Sequence, residues 1–374
     1  MTAAAPIRVC HLVSDDVWGG AESVVRGLIQ AQTRQAEVAP FLIALNDGGL
    51  CEFARNTSIP VRVVSESEHG FLGLVREVAL RLRDLRPHVI HTHRYKENLI
   101  SLLLCRRIDA LSVVTLHGDE PPATFRGRLK VRLRRAVTHW LGARVGARYA
   151  TVSRDLPALL GLPDSQWVMI PNGISLPQPA RGRDELRARS ASPVTVGWVG
   201  RLVPVKGLPL LLEAIAALPP SLAETRLLLV GDGPERASLE ALAIRLGLCE
   251  RAEFRGFVAN PADEYERMDV FALPSLYEGI PIALLEAMGA GLPCVVAAVG
   301  GIPDMLQGRD AVRLVASRRA EDWAAMLSSL LSNPVEAHAL GMRARTLVSE
   351  RFSIDAVADA YLGIYRAAVG SART

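Results

Sequence analysis

The sequence lacks the cysteine patterns of zinc-binding and disulfide-rich proteins. It has only five cysteines in 374 residues, and no two of them form a C-x-x-C pair. Scattered cysteines in an odd number argue against a disulfide framework and are typical of a reducing compartment. Residues 1–6 do not have the charged and then apolar layout of a signal peptide, so we expect a cytoplasmic protein.

Long apolar runs and a strong charge imbalance are also missing. No uninterrupted apolar stretch approaches the roughly 18 residues that span a bilayer, so we do not expect an integral membrane protein. Lys and Arg number 43 against 39 Asp and Glu, and this excess is too small to indicate nucleic acid as a partner. The apolar share of 49% is that of a globular protein, and the length predicts two domains.

Several motifs of cofactor and metal chemistry are absent. No G-x-G-x-x-G follows the first predicted strand, which argues against a dinucleotide oxidoreductase, and no Walker phosphate loop is present. A D-x-D pair, which many sugar transferases use to hold a divalent ion, occurs nowhere. His91 and His93 share one strand face, but no Cys, Asp or Glu accompanies them at ligand spacing. We therefore expect neither a metal nor a cofactor.

Short β-branched runs alternate with amphipathic helical stretches along the chain. This alternation predicts an α/β protein with two Rossmann-like, doubly wound parallel-sheet domains and a ligand in the cleft that they face. We predict an N-terminal domain (1–175), a proline-containing linker (176–193), a C-terminal domain (194–353) and a final helix (354–374). The predicted strands are 7–13, 41–45, 61–64, 89–93, 112–116, 149–152, 168–170, 194–199, 227–230, 253–257, 270–273, 294–297 and 312–315.

The most informative segment runs from Tyr277 to Ala287, after a predicted strand and turn. A helix that opens at about Pro281 offers free N–H groups and partial positive charge to phosphate or sugar oxygens. Glu278, in the turn, can accept hydrogen bonds from two adjacent hydroxyls, and Glu286, in the helix, is placed to hold a second diol such as a ribose. The alternative is a plain helix cap with a solvated glutamate.

Two further loops carry candidate anion-binding groups. Arg201 and Lys206 lie in one loop after a predicted strand, where two cations can neutralise a departing diphosphate. Gly19 and Gly20 follow the first strand, and paired glycines let backbone amides approach an anion, although a tight turn has the same pattern. His117 lies at the end of a predicted strand and is a candidate for contact with a donor substrate.

A basic segment, Arg126–Arg148, holds eight Arg and Lys residues and no acid. Leu133, Val137 and Trp140 are among the apolar residues that recur there at helical spacing. Two interpretations stay open: a helix that lies on an anionic membrane, or a surface helix whose apolar stripe packs in the core. Nucleic acid is a weaker third, because no DNA- or RNA-binding motif accompanies the charge.

Taken in order, these motifs resemble the retaining glycosyltransferases of family 4, which have the GT-B fold. The resemblance covers nearly the whole chain, and its most specific part is the Glu-x7-Glu element from Glu278 to Glu286 combined with the Arg/Lys loop. Its other motifs include Gly19-Gly20-Ala21-Glu22, His91-Thr92-His93, Thr115-Leu116-His117-Gly118, Ile170-Pro171-Asn172-Gly173, Val230-Gly231-Asp232-Gly233-Pro234, Gly256-Phe257 and Gly300-Gly301-Ile302-Pro303-Asp304.

The resemblance implies a transferase that moves a hexose from a UDP-sugar or GDP-mannose with retention and without metal. It implies a lipid-linked or saccharide acceptor in cell-surface polysaccharide or glycolipid synthesis, at the inner face of the cytoplasmic membrane if the basic segment binds lipid. Arg201, Lys206 and Glu278 would be catalytic. The implied substrate contacts are Gly19, Gly20, His117, Phe257, Val258, Gly279, Ile280, Pro281, Ile282 and Glu286.

Two positions depart from the family pattern. Ser175 stands where an Asp is frequent, and Asp304 replaces a Glu at the end of the Gly-Gly-x-Pro element. The alternative functions are a nucleotide-sugar epimerase of the same fold and a non-catalytic nucleotide-sugar-binding protein.

Overall fold

The computed structural model describes residues 5–15, 20–116, 125–152, 162–176 and 193–371. These residues form two compact units, one of Met1–Gly173 with Ile354–Thr374 and one of Ile174–Ser353. Each unit is built on one parallel sheet with helices on its faces, which confirms the predicted fold class. Nearly all of the predicted linker 176–193 lies outside the described residues.

The first unit has a seven-stranded sheet. Its strands are β1 (Ile7–Val13), β2 (Val38–Ala44), β3 (Val61–Val63), β4 (Val89–Thr92), β5 (Leu111–Leu116), β6 (Arg148–Thr151) and β7 (Trp167–Met169). They lie in the order β3-β2-β1-β4-β5-β6-β7. The helices are α1 (Gly20–Gln32), α2 (Gly49–Asn56), α3 (Phe71–Leu85), α4 (Tyr95–Ile108), α5 (Phe125–Val145) and the C-terminal helix, labelled α13 below (Ile354–Ser371).

The C-terminal helix α13 completes the core of the first unit. Its residues Val357, Tyr361 and Tyr365 are buried against Val9 and Val89 of the sheet. The opposite face of the sheet is covered by apolar residues of α3 and α4. Both faces are therefore buried, which explains why strand β1 reads as a largely apolar run.

The second unit has a six-stranded sheet in the order β10-β9-β8-β11-β12-β13. Its strands are β8 (Thr195–Val199), β9 (Arg226–Val230), β10 (Ala252–Gly256), β11 (Val270–Leu273), β12 (Cys294–Ala297) and β13 (Arg313–Val315). Its helices are α6 (Leu208–Ala216), α7 (Arg236–Arg245), α8 (Ala262–Glu266), α9 (Ile282–Gly289), α10 (Ile302–Leu306), α11 (Ala320–Leu331) and α12 (Pro334–Arg351). Trp198, Phe271 and Trp323 are among the largest side chains of its core.

The described cysteines are all free, and only Cys249 is exposed. None of the helices in the described part of the chain is both long enough and apolar enough to cross a membrane.

Candidate active site

The candidate site of the second unit lies at the point of its sheet where the order of the strands along the chain reverses. Strands β8 and β11 are hydrogen-bonded neighbours, although the chain forms β9 and β10 between them. From β8 the chain continues to one side of the sheet, and from β11 it continues to the other. The loops that leave the carboxyl ends of these two strands, 200–207 and 274–281, therefore flank a topological switch point, where ligands of open α/β sheets bind.

The two loops are fastened to each other through their backbones. The amide of Leu276 donates to the carbonyl of Val205 over 2.7 Å. Gly207 has a φ of +63°, and a Cβ there would lie 2.4 Å from the carbonyl oxygen of Pro274, so only glycine permits this approach. Arg318 donates to the same Pro274 carbonyl at 2.6 Å. This backbone contact holds the basic loop against the acidic turn.

Lys206 and Glu278 meet across this contact. The Nζ of Lys206 lies 2.8 Å from the Oε1 of Glu278, and Ser275 Oγ donates to the same oxygen at 2.6 Å. The side chain of Glu278 is only 8% exposed and that of Lys206 is 23% exposed. Among the described residues, Oε1 has two donors and Oε2 has none, so Oε2 is available to a ligand hydroxyl.

Arg201 lies in the same loop but makes no such contact. Its side chain is exposed, and within the described part of the chain it has no hydrogen bond or ion pair. The structure therefore joins Lys206 to Glu278 and leaves the guanidinium of Arg201 in solvent, where it can meet an anion.

Helix α9 begins directly after the Glu278 turn. Pro281 is its N-cap rather than its first helical residue, which corrects the predicted position by one residue. Gly279 and Ile280 form the turn that leads into it, and Ile282 is the first helical residue. The N–H groups of a first helical turn have no partner within the helix, so this end attracts anions.

Glu286 lies in the second turn of α9 and is partly exposed. Tyr265 donates to its Oε2 at 2.8 Å. Burial raises the pKa of Glu286 to about 7, and the hydrogen bond from Tyr265 opposes this rise. The sequence analysis missed both Tyr265 and Ser275; Ser275 is adjacent to the motif and could have been found as a short polar residue in its turn.

Phe257 and Val258 follow the end of β10, at the same carboxyl edge of the sheet. Phe257 is exposed and Val258 is partly buried. Strand β9 separates β10 from β8, which precedes the loop of Lys206. The implied contact of Phe257 and Val258 with the substrate stays a prediction.

The remaining predicted contacts belong to the first unit. Gly20 is the first residue of α1, the first helix after β1 in the chain. Gly19 and His117 lie outside the described residues.

Three histidines of the first unit lie side by side in its interior. His11, His91 and His93 are all buried, and their candidate ligand nitrogens lie within 4.8 Å of one another. The sequence analysis therefore overlooked His11 as a neighbour of the other two. The ring nitrogens of His91 lie 2.8 Å from the Tyr365 hydroxyl and 2.7 Å from Thr115 Oγ1, so a metal ion would displace one of these bonds. The arrangement favours a network that holds α13 on the sheet.

Known proteins resemble the chain over both units. The family model described as Glycosyltransferase Family 4 matches residues 18–177, and the one described as Glycosyl transferases group 1 matches residues 193–333. A D-inositol 3-phosphate glycosyltransferase of Kineococcus radiotolerans is 30% identical over 318 residues, which are 75% of this chain and 72% of that protein. A protein with the same description from Segniliparus rotundus is 35% identical over 214 residues, 54% of this chain, and the chain spans only 47% of its length.

A solved structure has the same fold as this chain. Alr3699/HepE of Anabaena in complex with UDP is 21% identical and has a TM-score of 0.81, with 96% of this chain and 100% of that chain covered. The same Anabaena protein has also been solved in complex with UDP-glucose.

Proposed function

Because this chain belongs to the family 4 glycosyltransferases and has the GT-B fold, we propose that it transfers a hexose from a nucleotide diphosphate donor to an acceptor hydroxyl, with retention and without a metal ion. A UDP-sugar is the favoured donor, because the Anabaena protein of the same fold binds UDP and UDP-glucose, and GDP-mannose is the alternative. The proposed acceptors are lipid-linked or growing surface saccharides, at the inner face of the cytoplasmic membrane.

The contact between Lys206 and Glu278 carries this proposal. It puts a cation and a carboxylate 2.8 Å apart at the start of α9. A diphosphate bound there meets Lys206, Arg201 and the amides of the helix end, which stabilise the negative charge that develops as it leaves. The free oxygen of Glu278 then faces sugar hydroxyls, and Glu286 accepts those of the ribose. We assign no side chain as the base, because the resemblance implies that the leaving diphosphate takes the acceptor proton.

A panel of nucleotide sugars tests the proposed donor. We expect a UDP-sugar to raise the melting temperature most, because a ligand that binds only the folded protein stabilises it by mass action. The best stabiliser is then incubated with a lipid-linked saccharide or with D-inositol 3-phosphate, which appears in the name of the Kineococcus relative, and the products are identified by mass spectrometry.

Three outcomes of this experiment are distinct. Transfer to an acceptor supports the proposal. A new sugar isomer formed without acceptor indicates an epimerase, and stabilisation without any turnover indicates a binding protein.

The basic helix α5 supports the membrane part of the proposal. Leu133 and Trp140 are 66% and 57% exposed, and Val137 is exposed on the same side of the helix. The helix instead packs through its other side, where a Cβ at Gly142 would lie 1.8 Å from the Tyr149 hydroxyl. Leu141, which belongs to the same predicted apolar set, is partly buried and packs against the cluster that contains Tyr149, so α5 has one exposed apolar side and one packed side. An exposed apolar stripe in a segment that carries only positive charge fits an anionic bilayer surface.

Sedimentation with liposomes tests this surface. We expect the chain to pellet with phosphatidylglycerol vesicles and not with phosphatidylcholine vesicles. The double variant Leu133→Ser with Trp140→Ser should bind at least about tenfold more weakly, because two apolar side chains no longer enter the interface. Leu72→Ser is the matched control, since Leu72 is an exposed leucine on α3. Equal binding of the double variant and the control would exclude α5 as the membrane contact.

A further inference from the structure

Tyr265 is a buried residue of the short helix α8 that reaches the proposed ribose-binding carboxylate. Its hydroxyl lies 2.8 Å from Glu286 Oε2 and 3.2 Å from the carbonyl oxygen of Ala283. Its ring packs near Phe271 of strand β11, with 6.1 Å between the ring centroids. The hydroxyl is therefore held in place by the core of the second unit, between two oxygen atoms.

The two distances allow two arrangements of protons. A tyrosine hydroxyl has one proton to donate and can accept as well. When Glu286 is protonated, Oε2–H can donate to the Tyr265 oxygen while the Tyr265 proton points to the Ala283 carbonyl. When Glu286 is ionised, the Tyr265 proton must turn to Oε2. The same geometry thus accommodates both forms of the carboxyl group.

Few charges surround this pair. Cys294 of strand β12 is the other titratable group that acts on Tyr265, and it is fully buried. From helix α12, Arg345 donates to the carbonyl of Gly289, at the C-terminal end of α9. No cation among the described residues forms an ion pair with Glu286. Burial raises the pKa of the Glu286 carboxyl group to about 7, so a substantial fraction of it is protonated near neutral pH.

A ribose diol forms different hydrogen bonds with the protonated and the ionised carboxyl group of Glu286. Two adjacent hydroxyls can donate to an ionised carboxylate, whereas a protonated carboxyl group must use one of its oxygens as a donor. We propose that binding of the donor ribose releases a proton from Glu286 to solvent, and that Tyr265 is the positioning residue that sets the pH at which this happens. The inference rests on the proposed function, because it takes Glu286 as the ribose contact.

Titration calorimetry with UDP-glucose measures the released proton directly. This ligand is suitable because its diphosphate is esterified at both ends and, unlike a terminal phosphate with a pKa of about 6, does not titrate near neutral pH. Heats measured in two buffers of different ionisation enthalpy give the number of protons released. We expect about 0.9 protons per site at pH 6 and about 0.1 at pH 8, with affinity falling as the pH is lowered below about 7.

Variants test whether the released proton comes from Glu286 and whether Tyr265 sets the pH of its release. Glu286→Gln should abolish the release while the protein still folds. Tyr265→Phe removes the donor to the ionised form, so the pH midpoint of the release should rise by about one unit. Tyr149→Phe is the matched control, because Tyr149 is a buried tyrosine of the first unit, and it should leave the curve unchanged.

The possible failures can be told apart. Binding of UDP-glucose without proton release, or a release that persists in Glu286→Gln, contradicts the inference but not the proposed function. A midpoint that stays in place in Tyr265→Phe contradicts the role of Tyr265. Absence of UDP-glucose binding at every pH contradicts the proposed donor itself.

Discussion

Replacing Lys206 with Ala should slow sugar transfer by about 30- to 1000-fold, which corresponds to about 2–4 kcal/mol of lost transition-state stabilisation. The reason is electrostatic: Lys206 lies in the loop fastened to the Glu278 turn, at the end of α9 that would receive the diphosphate. Charge develops on that group as the sugar departs, so the effect should appear mainly in kcat. Steady-state kinetics with the donor found in the panel measures it.

This variant needs a control, because Lys206 also neutralises Glu278. Removing the lysine leaves a carboxylate that is only 8% exposed without its cation, which destabilises the folded protein as well. Adding Glu278→Gln should restore stability without restoring the rate. Arg201→Ala, at an exposed position, should change stability by less than about 0.5 kcal/mol and still reduce the rate. A Lys206→Ala enzyme with an unchanged rate would remove Lys206 from the mechanism.

The elements that could be predicted from the sequence are those with a local physical cause. All thirteen strands were found within three residues of their predicted ends, because each is a short run rich in apolar or β-branched residues and bounded by turns. The proximity of the loops at 200–207 and 274–281 also follows from a general rule, since doubly wound sheets gather their loops at the carboxyl edge. The contact between Lys206 and Glu278, 72 residues apart, is a consequence of that rule.

What the sequence did not predict depends on strand order and on packing. His11 was overlooked because it joins His91 only when β1 pairs with β4, in a register that puts these two residues side by side. Tyr265 was overlooked because the five-residue helix α8 has too few turns to show a periodic pattern. The sequence left open whether the apolar residues of α5 are exposed, because helical spacing does not tell which side of a helix meets the core.

Gly300 should be the glycine of the second unit whose replacement most directly disturbs Glu278. Its φ is +53°, and a Cβ there would lie 1.8 Å from the carbonyl oxygen of Glu278. The next residue, Gly301, donates its amide to the same oxygen at 3.0 Å. Gly300→Ala must therefore move the Glu278 backbone or break this bond, and we expect the free energy of unfolding to fall by about 3–5 kcal/mol.

Gly308→Ala separates this contact from backbone strain. Gly308 also has a positive φ, +76°, but no atom lies within 4 Å of the position its Cβ would take. Its replacement should therefore cost only the strain of a left-handed alanine, about 1–2 kcal/mol, and leave UDP-glucose binding unchanged. Gly300→Ala should also weaken UDP-glucose binding, because Glu278 and the start of α9 move together. Denaturant unfolding and calorimetry on both variants provide the comparison, and equal losses in the two would mean that the Glu278 turn tolerates the extra methyl group.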